Sequence, residues 1–444
     1  MTQIGESMFV APEPTEEKPE EEEKKKKVKL RFSLFFDGTL NNRTNTAERK
    51  ANSDVYKKVQ RSWFQSFRGY GSYENEVSNV GKMEEYVDKA CDVDNSEAFY
   101  VEGMGTIDRS TDTFLGKALG QGEAGIGARA KSGFNQIIWA IQDWYQPDDI
   151  IIEKITIDAF GFSRGAATAR HFINYVLDEA PFQTYKLSRQ LKRVGFEIEK
   201  IEVEFVGLYD TVASLGLPIE HKLNAKLLRL NAVSFANQVV QLAAAEEHRA
   251  NFSLSNIDSA GGKGKEIYLP GVHSDIGGGY VDNALEAQII NKRLRAQLEE
   301  EMQQLIDAGW YDCEEIKIDC PEKGNPRVPK GSRICKLVVN RYVAAEYDRI
   351  PLQIMAEFAR EAGLNIKSAL ETENDVRDPK LVPIKDELKA YAKKGGSKPE
   401  DWQNNKGWLP WLRHAHLHYS AHYSSTGMEP RFINGKRKRL YYDG

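Results

Sequence analysis

A mostly apolar run that stops at a glycine-flanked serine and restarts as a small-residue helix constrains this chain more than any other feature. Residues 150–177 read "IIIEKITIDAFGFSRGAATARHFINYVL". The first part suits a strand covered on both faces, as in a mostly parallel sheet. The second suits a helix packed tightly back on that sheet. Between them Gly161-Phe162-Ser163-Arg164-Gly165 matches G-x-S-x-G in the context that gives the pattern meaning, strand before and helix after. A serine nucleophile has to project from a sharp turn, and glycines two before and two after it leave room for the approach. The helix that follows aims its first amides at the site, where they favour negative charge.

The neighbouring segments extend the same architecture. Phe134, Ile137, Ile138, Ile141 and Trp144 fall on one stripe, predicting a helix over 128–145 ahead of the central strand. "VKLRFSLFF" from Val28, "IEVEFVGLY" and "KEIYLPGV" read as further buried strands, whereas "AVSFANQVVQLAAAEEHR" and "ALEAQIINKRLRAQLEEEMQQLI" read as helices. The expected fold is α/β-hydrolase-like, a mostly parallel central sheet with helices on both faces and helical insertions. Residues 1–27, rich in Glu, Lys and Pro, are expected to stay unfolded. Residues 28–444 then form a single domain, with insertions at about 40–130 and 281–345 and a further C-terminal segment.

Bulk properties exclude several classes. A net charge of -5 on 444 residues gives no global pull toward nucleic acid. The four cysteines have no C-x-x-C spacing and are expected to be buried free thiols, in a protein made in the cytoplasm. No signal-peptide core and no apolar stretch of membrane-spanning length is found, which predicts neither general export nor a transmembrane segment.

A serine needs a base, and the base needs an orienting carboxylate, in the order Ser, Asp or Glu, His for this fold. Asp210, after "EFVGLY", and His273, after "IYLPGV", stand at later strand ends in that order. Asp275 is read as a loop carboxylate capping backbone amides, and Asp158 lies too early in its strand to reach a histidine. His171 is read as a packing or a surface residue, His221 and His248 as exposed. His414, His416 and His418, in H-x-H-x-H spacing, would share one face of a strand, a pattern that can bind metal but is more often a wet terminal segment; His418 is the reserve base. The oxyanion hole would use the amide of Arg164 and one from the loop "FFDGT", with Gly38 and Thr39 as donors and Asp37 bracing the loop. That loop also resembles the opening of an aspartate-nucleophile phosphatase, but the nucleophile's place is taken by Phe35. Gly120-Gln-Gly-Glu-Ala-Gly125 satisfies the dinucleotide pattern without the preceding strand it requires, so an entrance loop or lid is the better reading.

Together "LFFDGTLNN", "YVEGMGT", "GFSRGAATAR", "FVGLYDTVAS" and "LPGVHSDIGGGY" resemble, in order and wording, the α/β-hydrolase domain of type VI secretion phospholipase effectors. The resemblance runs from about Val28 to Leu364. It implies an antibacterial lipase with Ser163 as nucleophile, Asp210 as orienting acid and His273 as base. It implies a phospholipid substrate at a membrane surface, a spike protein for loading and an immunity protein, and delivery to a target cell's periplasm or membrane; the expected chemistry itself needs no cofactor or metal. Members are often longer and carry a membrane-contacting module, for which this chain has no obvious room. The alternatives are a general carboxylesterase on a soluble ester and a non-catalytic hydrolase-fold binding module.

Overall fold

The structure is a computed structural model, and it describes residues 25–65, 71–89, 92–112, 125–177, 186–213, 226–321, 334–395, 398–402 and 406–444. The candidate lid at Gly120–Gly125 falls partly outside these residues, and His221 and Cys91 wholly so.

Strand β1 (Lys26–Phe36) alternates and then turns wholly buried, so its second half must be covered on both faces. It does so between β2 (Asn95–Val101) and β3 (Ile150–Phe162), parallel to both. With β4 (Glu197–Tyr209), β5 (Gln238–Ala244) and β7 (Gly264–Leu269) they form a six-stranded sheet in the order β2-β1-β3-β4-β5-β7. Every pairing in it is parallel, which requires crossover connections and lets helices cover the faces. Helices α1 (Ile126–Trp144) and α2 (Arg164–Val176) bury one face against Leu34, Phe36, Ile157 and Ala159. On the other face Phe35 stacks on Phe160 with ring centroids 4.6 Å apart, and that layer continues into Met355 on a helix at Arg349–Glu361. The strand begins two residues before the expected Val28, because Lys26 and Lys27 pair with Ile150 and Ile151 of β3; Lys25 and Lys27 also reach Glu197 and Glu199 across the sheet end.

Two expected helices are strands in part. Residues 238–244 form β5, preceded by a 3₁₀ turn at Leu230–Phe235. Its run of Val239, Val240, Leu242 and Ala243 is buried from both sides, and periodicity alone does not separate such a run from a buried helix. Further on, the first half of the other expected helix is β8 (Ala284–Leu294), and the helix itself, α3, begins only after it (Arg295–Asp307). β8 pairs antiparallel with β10 (Ile334–Val343), which also pairs with β9 (Ile316–Asp319). The alternation of β8 is disguised because its inward residue is charged: Glu286 is buried against Arg341 and the Tyr311 hydroxyl, while Leu285 faces out. Two short strands, Leu254–Ser255 (β6) and Tyr441–Tyr442, pair in parallel beside the main sheet.

The expectation of free thiols is overturned at one pair. Cys320 and Cys335 are disulfide-bonded, tying the end of β9 to the adjacent strand of its antiparallel ladder, while Cys313 is free and exposed. Among the described residues no helix is long and apolar enough to cross a membrane.

Candidate active site

The strand-to-helix turn after β3 puts Ser163 at φ 59°, ψ -125°, a conformation rare for a residue with a side chain. The surroundings hold it there. Its amide donates to Tyr209 O at 3.0 Å, and its carbonyl accepts from Val212 N at 3.2 Å, which ties the turn to the end of β4. The two glycines of the motif are there for close approach. A Cβ on Gly161 would lie 2.4 Å from Gly165 O, and one on Gly165 would lie 2.2 Å from Phe36 O. Strand, helix start and the end of β1 therefore touch backbone to backbone, which only hydrogen side chains permit.

One strand over, Asp210 follows β4, also at positive φ (48°) and fully buried. Strain of this kind at a non-glycine residue persists only where neighbours over-determine it. Here the Asp210 amide donates to Leu242 O at 2.8 Å, and Oδ1 accepts from Ala244 N at 2.8 Å. Oδ2 lies 2.5 Å from His273 Nδ1. Burial alone would raise this carboxyl's pKa; the guanidinium of Arg439 and the hydrogen bond to His273 overcome it and hold the pKa at about 2.

His273 opens the short helical turn after β7, and its amide approaches Glu247 Oε2 at 3.3 Å. The imidazole is buried, packed 4.7 Å from the Phe162 ring and 4.9 Å from Phe252, centroid to centroid. Phe162 is the residue before Ser163, and a Cβ on Gly277, at the end of the His273 turn, would run into its ring. The ends of β3, β4 and β7 therefore share one rim of the sheet. Burial pushes the His273 pKa below its usual value, against the upward pull of Asp210. With Nδ1 on Asp210, Nε2 is the nitrogen left to exchange a proton.

The loop after β1 braces the other side. Asp37 Oδ1 accepts from Gly38 N and Ser78 Oγ, and Oδ2 from the Tyr100 hydroxyl, each at 2.6 Å. Arg164 Nε donates to Thr39 Oγ1 at 2.6 Å, which links the loop to the residue after the serine. Because the Gly38 amide already donates to Asp37, Thr39 is the loop residue better suited to meet an oxyanion.

The remaining candidates go elsewhere. Asp158 is buried in an ion pair with Arg31 (Nε to Oδ2 2.7 Å) and accepts from Ser33. His171 packs inside with Nδ1 on Leu228 O. His248, expected exposed on a helix, follows β5 in a non-helical segment; burial drops its pKa to about 4 and keeps it neutral. The H-x-H-x-H histidines do not share a strand face, because Leu409–Ala415 is helical and carries His414, while His416 and His418 lie beyond its end. Each takes its own carboxylate: His414 on Glu315 at 2.9 Å, His416 on Asp378 at 3.2 Å, His418 on Asp275 at 2.8 Å. Asp275 caps the amides of Val272 and His418, not those of the glycines. Asp312, Glu315 and His414 bring potential ligand atoms within 4.8 Å of one another, at a place remote in sequence from the serine turn.

Two features escaped the sequence. Arg439 grips both oxygens of Asp210, and Glu247 pairs with Arg249 beside the His273 amide. Arg439 sits in a run of four basic residues that looks like any solvated face, so no spacing signal marked it.

Residues 31–180 and 177–300 match the family described as T6SS, Phospholipase effector Tle1-like, catalytic domain. The fold is similar to that of the Tle1 effector solved bound to the VgrG spike from the Type 6 secretion system, at TM-score 0.60 and 22% identity, covering 94% of this chain and 95% of that one. A weaker likeness, at TM-score 0.41 and 19% identity over 85% of this chain and 52% of that one, is to an uncharacterized protein from Pseudomonas aeruginosa. No curated protein matches the chain.

Proposed function

The chain belongs to the Tle1-like phospholipase effectors of the type VI secretion system, and from that premise we propose that it cleaves acyl esters of glycerophospholipids with Ser163, His273 and Asp210. The observation that carries the reading is the buried Asp210–His273 pair at 2.5 Å on the same sheet rim as a serine held at positive φ. In the proposed reaction His273 Nε2 takes the Ser163 hydroxyl proton as Oγ adds to the ester carbonyl. The amide of Arg164, first residue of the following helix, and that of Thr39 receive the oxyanion. Collapse of the tetrahedral intermediate expels the lysolipid alkoxide, which takes the proton from His273. Water, deprotonated by the same imidazole, then adds to the acyl-serine, and the fatty acid leaves as Ser163 recovers its proton. Asp210 stays ionised throughout and holds the imidazole in the tautomer with its proton on Nδ1.

Delivery into a target cell follows from family membership. A spike protein as loading partner is supported by the spike-bound Tle1 structure; an immunity protein that blocks the cleft, and action at the target's periplasmic membrane surface, complete the proposal. Mass spectrometry of products from mixed phospholipid vesicles tests the substrate class. Free fatty acid and lysophospholipid are expected in equal amounts. Turnover of short soluble esters with intact vesicle lipid would favour a general carboxylesterase, and no turnover of either a binding module.

A further inference from the structure

We propose that Arg439 is a positioning residue of this hydrolytic site, fixing both oxygens of Asp210 and keeping the Asp210–His273 pair in its working protonation state. The proposal rests on the triad reading above. Its basis is geometric. Arg439 Nη1 donates to Oδ1 and Nη2 to Oδ2, each at 2.7 Å, a two-pronged contact that matches the plane of a carboxylate. Oδ2 is also the oxygen that holds His273, so guanidinium and imidazole meet on one atom. With Ala244 N on Oδ1, the carboxylate has no freedom to rotate away from the ring.

The guanidinium is itself locked. Its Nε donates to Phe252 O at 2.7 Å and Nη1 to Ala244 O at 3.2 Å, and the residue is 5% exposed. The segment that carries it is laid down as a strand. Tyr441 and Tyr442 pair with Leu254 and Ser255, Leu254 N donates to Leu440 O at 3.0 Å, and Asn256 N donates to Tyr442 O at 2.9 Å. A stretch 229 positions away in the sequence therefore completes the setting of the orienting acid.

The charges around the pair explain why a cation is needed there. Burial favours the neutral form of Asp210, and among the opposing influences the Arg439 charge is the largest. The other ionisable groups close by are already engaged. Glu247 is paired with Arg249 and accepts from Ser420, Asp275 is held by His418, His248 stays neutral, and so does Tyr441, whose pKa burial raises to about 12. Without Arg439, a buried carboxylate would face the imidazole alone. The two groups titrate as a pair, and losing the cation raises the pH at which that pair takes up its proton, whether the proton is counted on Asp210 or on His273.

The test is the pH dependence of the rate at which a fluorophosphonate labels the full-length protein. In Arg439→Gln the acid limb is expected to move up by about one pH unit or more, while Arg439→Lys, which keeps the charge but not the fork, leaves the limb in place and labels more slowly. A purely structural role would lower the labelled fraction without moving the limb, and an unmoved limb in a folded Arg439→Gln protein overturns the proposal. Should Arg439→Gln not fold, the change is made in an Asp210→Asn background, where no buried anion is left unpaired. No further loss of labelling rate is expected there, and an added loss would show that Arg439 acts other than through Asp210. Labelling that persists in Ser163→Ala would instead sink the triad reading itself, a result separable from any of these.

Discussion

Replacing Ser163 with alanine is expected to lower the turnover of phospholipid by about 10⁶-fold, the scale on which a serine nucleophile acts together with its base. The substitution removes one oxygen from a turn whose backbone is held by other contacts. Ser163 N on Tyr209 O and Val212 N on Ser163 O do not involve the hydroxyl, nor do the close approaches at Gly161 and Gly165. Alanine at positive φ keeps the same strain as serine, so the thermal unfolding midpoint should stay within a few degrees. Initial rates on phospholipid vesicles, read beside circular dichroism, check both halves. Turnover within tenfold of the unaltered protein would assign the chemistry to another group.

Asp210→Asn is expected to cost about 10⁴-fold in kcat, by the same logic that governs other Ser-His-Asp sites. The carboxylate accepts four hydrogen bonds, from Ala244 N, His273 Nδ1 and both Arg439 Nη atoms. An amide has one acceptor oxygen and one NH₂. Whichever way it turns, its NH₂ meets a guanidinium Nη, joined by Ala244 N at one position and by the protonated Nδ1 of the imidazole at the other. If the NH₂ faces His273, Nδ1 must become the acceptor and Nε2 carries the proton, so the ring cannot take one from Ser163. Arg439 also loses its counter-charge in a buried place, which makes this variant less stable as well as slower. Single-turnover kinetics on the folded fraction separates the two effects. A kcat loss below tenfold would mean that Asp210 does not orient the base.

Much of the rim was legible in the sequence because each member sits where a buried strand ends, and a run such as "EFVGLY" before Asp210 announces its own end. The turn at Ser163 was legible for a second reason, since backbone contact at Gly161 and Gly165 excludes every other residue type. What stayed hidden obeys different physics. The sequence of β5 reads as helix because a strand covered on both faces has no alternation to display. The sequence of β8 reads as helix because Glu286 points inward to Arg341, inverting the pattern that alternation depends on. The carboxylate partners of His414, His416 and His418 come from sequence-distant positions, Glu315, Asp378 and Asp275, so no local spacing foretold them. Arg439 is the clearest case. A basic residue in a basic run acquires its role only when β6 draws its segment against the sheet.

All of this stands on a hydroxyl at one turn having been made reactive by an imidazole three strands along the sheet. Treating the intact protein with a fluorophosphonate and locating the adduct by peptide mass spectrometry interrogates that hydroxyl directly. The result expected is a single stoichiometric modification on Ser163, absent when His273 is replaced by alanine. An unmodified protein, or an adduct on any other residue, would contradict it.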